Sequence, residues 1–192
     1  GGGGGGGPRS LRSGCALLAR RRVVRALLPL ALVWFGLSFG YYGLSTWVAV
    51  LLREEGAAGS PYYASPRGTA LFFSLAAMPG SLASALLVDR VGRRLLLVAG
   101  LSLAAASALA LSLHGPVLLL ACAFSACSIS GWNALNCLSA ESFPLEVRAT
   151  AFSLLSTLGR VAAILAQVVD GSLSQRVPTL LAATSACLAL AA

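Results

Sequence analysis

The sequence has no lysine: all fourteen basic residues are arginine, set against six acidic ones. Only 10% of its 192 residues are charged, where average soluble domains carry roughly 25%. So little charge excludes a polar shell around a globular core. The basic excess does not point to nucleic acid, because the arginines stand at the ends of apolar runs rather than among aromatic patches. There is a single histidine, His114, beside Gly115-Pro116 at a loop edge. Intramembrane serine hydrolysis needs a histidine at depth, so that enzyme class is excluded and no catalytic residue is expected. Cysteines are few and odd in number: Cys15, Cys122, Cys127, Cys137 and Cys187. Their spacing suits neither a metal site nor a disulfide framework, and no metal or cofactor is expected. An N-x-S/T glycosylation signal is also missing.

What the chain does have is oil, 57% of it by composition. A membrane-crossing helix needs about 20 mostly apolar residues. Runs 26–52, 69–88, 95–113, 117–138 and 150–169 qualify, and 179–192 is a shorter sixth. Charges, glycines and prolines mark the breaks, as in "DRVGRR" and "ESFPLEVRA". Backbone polar groups in lipid must be paired internally, so the runs are expected to be helices of an all-α membrane protein. Residues 1–25, a glycine tract followed by an arginine-rich stretch, are expected to be a disordered cytoplasmic segment. Residues 26–192 are expected to form the helix bundle. The sixth run looks cut short, which suggests part of a longer protein.

Arginine placement sets the orientation. With the N-terminal end in the cytoplasm, ten arginines fall inside (9, 12, 20, 21, 22, 25, 90, 93, 94 and 148) and three outside (53, 67 and 176). The remaining one, Arg160, lies within a span.

Three spans carry polar stripes at helical spacing. They comprise Trp34, Ser38, Tyr41, Tyr42 and Ser45; then Ser125, Ser128, Trp132, Asn136 and Ser139; then Ser153, Thr157, Arg160 and Gln167. Serines of this kind often join membrane helices, and that reading is preferred for them. For Asn136, helix glue and a path lining weigh equally. An ionised residue inside a span needs water or a partner, which makes Arg160 a functional candidate or half of a structural ion pair. Trp132, in "SGWNALN", stands deep in its run and suits a flat wall of a central cavity.

The turn "DRVGRR" joins two antiparallel spans, with Gly92 at the reversal. Asp89 opposes the dipole at a helix end. It therefore needs an arginine or a neighbouring helix N-terminus, both of which "ESFPLEVRA" offers through Arg148 and the following span. Two such loops on one side make a breakable latch, or a plain topology anchor.

These residues resemble the major facilitator superfamily. "DRVGRR" is similar to that family's cytoplasmic signature G-x-x-x-D-R-x-G-R-R, with Ala85 at the leading glycine. "WFGLSFGYYGLSTW" (34–47), "MPGSLASALLVDRVGRR" (78–94) and "SISGWNALNCLSAESFP" (128–144) together resemble the C-terminal half of the synaptic vesicle glycoprotein 2 family. The resemblance implies helices seven to twelve of a twelve-helix fold. It implies that Trp132 lines the central cavity, and that Asp89, Arg90, Arg94, Glu141 and Arg148 form a cytoplasmic charge network, to which Gly92 and Arg93 belong by position. It also sets Arg160 where those relatives have a basic residue. Two departures are visible: the loop at about 53–68 is short where the glycoproteins carry a large luminal domain, and Asn136 stands where they tend to have an acid.

The expected function is a secondary carrier of a small organic solute, sugar-like or an organic ion, working by alternating access. Trp132, Asn133, Asn136 and Tyr42 are expected to contact solute, and Arg160 to attract an anionic group. The implied partners are the solute, a coupling proton or ion, the lipid bilayer and an N-terminal six-helix half. Two alternatives stand beside this: a non-transporting membrane protein that binds partners or ligands, and a truncated, inactive product. The location is an integral membrane protein of plasma or vesicle membrane.

Overall fold

A computed structural model describes residues 21–57, 66–113, 117–173 and 185–190. The glycine-rich start with Cys15, His114, and most of the sixth run lie outside the described residues. Five long helices account for nearly all of the rest: α1 Arg21–Ala57, α2 Pro66–Val91, α3 Arg93–Ser112, α4 Val117–Glu141 and α5 Leu145–Leu173. Residues 185–190 are helical. There is no strand among the described residues.

Each helix covers its expected apolar run, apart from α3, which ends at Ser112, one residue short of 113, and most extend beyond it. α1 is already helical at Arg21, ahead of residue 26, and still helical at Ala57. Its 37 residues span about 56 Å at 1.5 Å per residue, well beyond a hydrocarbon core of about 30 Å. Arginine and leucine are good helix formers, so the helix continues into the polar zone. α5 begins at Leu145 rather than at 150 because Pro144 sets its start. The Pro144 carbonyl accepts the first bonds, from Val147 N (3.1 Å) and Arg148 N (2.9 Å).

α4 is the hub. It packs on α3 and α2 along most of its length, α5 packs on α1, and α1 meets α4 to join the two groups. With lipid on the outside, association relies on close backbone approach and hydrogen bonds. Gly80 of α2 lies so close to Ala126 of α4 that a Cβ there would overlap the Ala126 carbonyl. At Gly159 of α5 a Cβ would come within 2.7 Å of Ser38 Oγ and 3.2 Å of Trp34 on α1. Serines of α4 reinforce the seam with α2: Ser125 Oγ donates to the Phe73 carbonyl (3.0 Å) and Ser130 Oγ to that of Gly80 (2.8 Å).

Much of the outward surface is apolar. Leu32 is 72% exposed, Leu82 64% and Leu103 58%. Surfaces of this kind belong in contact with another apolar phase. All five helices are long and apolar enough to cross a membrane.

Candidate functional site

The mid-bundle site is built around Trp132. Its ring lies half-buried, edge-on to Trp34 of α1 at 5.3 Å and to Tyr41 at 6.4 Å. Trp34 is almost fully buried. Its Nε1–H donates to Ser139 Oγ of α4 at 2.9 Å, and its ring meets Phe152 of α5 edge-on at 5.6 Å. Edge-to-face pairs add about 0.5–1.5 kcal/mol each beyond their burial. Trp34 thus ties three helices together, and Trp132 stands on a rigid aromatic base. Tyr41 also stacks with Phe124 at 6.2 Å.

The two asparagines of "WNALN" differ. Asn133 turns to α2, where its Nδ2 donates to Ser84 Oγ at 2.7 Å and to Ser81 Oγ at 3.4 Å. Ser84 in turn donates to the Ser81 carbonyl at 2.7 Å. Asn136 lines the same groove between α2 and α4, a space of about 310 Å³ shared with Ser81, Ser84, Asn133 and Cys137. Tyr42 is exposed at 44%, its ring edge-on to that of Tyr41.

α5 presents three sectors at ~100° per residue. Ala151, Leu155, Gly159, Ala162 and Ala166 are buried, on the side of α1 that Gly159 touches. Leu154, Val161, Leu165 and Val168 form an exposed apolar sector. Ser153, Thr157, Arg160 and Gln167 form an exposed polar one, interrupted by Ile164. Within it Ser153 and Thr157 donate to carbonyls of their own helix, those of Ala149 (2.9 Å) and Ser153 (2.8 Å). Gln167 Nε2 donates to the Tyr42 carbonyl and to Thr46 Oγ1 of α1, both at 3.0 Å. Arg160 makes no ion pair with any described residue. The structure does not bring it into contact with Trp132 or Asn136.

At the arginine-rich end, Gly92 is the one non-helical residue between α2 and α3. Its φ of 90° and ψ of 148° lie close to a region open essentially to glycine alone. This reversal points Arg93 at α4, where its guanidinium pairs with Glu141 at 2.9 Å. The same guanidinium lies 3.7 Å from Asp89. The cross-loop connection is therefore Arg93–Glu141. Asp89 finds its arginine within its own loop, not in the second loop as expected. Arg90, Arg94 and Arg148 make no ion pair among the described residues, and Arg148 Nε donates instead to the Phe143 carbonyl at 3.3 Å. The sequence could not single out Arg93 among three arginines, since only the direction of the first turn of α3 decides it. Ser81 and Ser84, one helical turn apart on α2, were the unread signal for Asn133.

Residues 2–167 match the Major Facilitator Superfamily, and the chain belongs to that family as an integral, multi-pass membrane protein. It is 32% identical over 151 residues to the niacin transporter NiaP of Acinetobacter baylyi, covering 77% of this chain and 34% of that protein. It is 35% identical over 117 residues to human synaptic vesicle glycoprotein 2C, covering 58% of this chain and 16% of the glycoprotein. To rat synaptic vesicle glycoprotein 2A it is 38% identical over 107 residues, covering 54% and 14%. The chain thus spans about a third of the transporter's length and a smaller part of the glycoproteins'.

Proposed function

We propose that these helices are the C-terminal half of a secondary carrier for a small organic anion, with the solute bound between this half and an N-terminal one. The observation that carries the reading is Arg160, a cation in the polar sector of a membrane helix with no carboxylate partner among the described residues. A charge at that depth requires water or an anion. Trp132, held rigid by Trp34 and Tyr41, offers a flat face for a ring, and Asn136, one helical turn on, offers an amide in the groove between α2 and α4. A flat acid such as niacin, the solute in the name of one relative, carries an anion to suit Arg160 and a ring to suit Trp132, two side chains that do not touch in this structure.

Alternating access needs a contact that is weak enough to break. Arg93 and Glu141 are 39% and 53% exposed, and exposed pairs contribute about 0.2–1 kcal/mol. That magnitude suits a latch that forms when the cytoplasmic side is shut. The test is uptake of radiolabelled niacin and related aromatic acids into proteoliposomes by the full-length protein. Arg160→Ala and Trp132→Ala are expected to lose most of the flux while still folding. Wild-type rates in both would remove these residues from the mechanism.

A further inference from the structure

α1 and α3 both pack on α4, and their association runs through it rather than directly. The gap left at the arginine-rich end is a cavity of about 410 Å³. Its walls are apolar, from Leu30 and Val33 of α1, Leu97 and Val98 of α3 and Leu138 of α4. Its charged lining residues are Arg25 and Arg94, with no acid among them. Neither arginine forms an ion pair with a described residue, whereas Arg93, next in the chain to Arg94, is paired with Glu141.

We propose that this cavity binds the headgroup of an anionic phospholipid from the leaflet at the arginine-rich end. Three features favour a lipid over another occupant. Two unpaired guanidiniums match one phosphodiester, which arginine binds through parallel N–H donors. The same stretches of both flanking helices carry exposed apolar side chains: Leu28 and Leu32 on α1, Leu95 and Val98 on α3. Acyl chains lie naturally against such rows, and a soluble anion gains nothing from them. Pro29, inside α1 and lining the cavity, has no N–H to donate to the Arg25 carbonyl one turn back. A headgroup hydroxyl finds an acceptor there, and Ser142 adds a second polar group at the rim. Basic pockets between membrane helices select anionic headgroups in this way.

The experiment is native mass spectrometry of the full-length protein in detergent, titrated with phosphatidylglycerol or with phosphatidylcholine of the same chain length. The wild type is expected to prefer phosphatidylglycerol by about tenfold or more, two arginines acting together. Arg25→Gln with Arg94→Gln should bring the ratio close to one, while Arg90→Gln, whose side chain is not in the cavity lining, should keep it. Val98→Trp leaves both charges in place and fills the mouth, so it should also weaken phosphatidylglycerol binding if the double variant does not fold. Equal binding of the two lipids by the wild type overturns the proposal, as does a preference that survives in the double variant. Displacement of the lipid by millimolar inorganic phosphate would assign the cavity to a soluble anion instead, and failure to bind either lipid would mean that another segment of the protein fills it.

Discussion

α4 and α5 both carry polar residues in mid-span, but they use them differently. On α4, Ser125, Ser130, Asn133 and Ser139 all bond to α1 or α2. On α5, Ser153 and Thr157 bond to their own helix, Gln167 reaches α1, and Arg160 bonds to no described residue. α4 is a structural hub whose polarity holds neighbours in register. α5 is fastened by small residues on one side and turns its polarity outward. The stripe patterns look alike in sequence, so a polar stripe alone does not separate helix glue from a path lining. What separates them is whether the opposite face of the same helix already carries the packing.

The comparison can be broken at several points. The largest effect is expected at Trp34, which joins α1 to both α4 and α5. Trp34→Ala removes the bond to Ser139 and the edge contacts to Trp132 and Phe152, and should cost about 3–5 kcal/mol, read as a sharp fall in melting temperature by detergent-based thermal shift. Gly159→Ala tests whether α5 packs through its small-residue side. Ser38 and the Trp34 ring would have to shift, and overpacking of this kind costs about 1–3 kcal/mol; a neutral result in the same assay would mean that the seam is looser than described. Asn133→Ala removes a bond from α4 to α2, and bonds between membrane helices average about 0.6 kcal/mol, so its melting temperature should drop only slightly. Arg93→Gln should cost less than about 1 kcal/mol yet alter the accessibility of the arginine-rich end to impermeant reagents. Arg160→Ala should not destabilise the fold at all, because it removes a charge that no described residue neutralises.

The spans were legible in the sequence because a bilayer imposes length and polarity on any helix that crosses it. Their ends were less so. α1 is helical at Arg21 and α5 starts at Leu145, both outside the apolar runs, where backbone propensity and Pro144 decide rather than hydropathy. In the candidate site, the proximity of Trp132 to the α1 aromatics was open to a stripe argument. The separate roles of Asn133 and Asn136 were not, since both amides fall within one turn and only the position of Ser84 on another helix tells them apart. The choice of Arg93 over Arg90 and Arg94 depended in the same way on Gly92, whose positive φ aims the following turn.

The account depends most on α5 turning Arg160 toward water and its leucines toward lipid. In a background without native cysteines, single cysteines at positions 153, 160, 154 and 165 can be treated with a charged, membrane-impermeant thiol reagent in the full-length protein. Positions 153 and 160 should react, more slowly when the solute is present, while 154 and 165 should stay silent. Reaction at 154 and 165 with silence at 160 would contradict it.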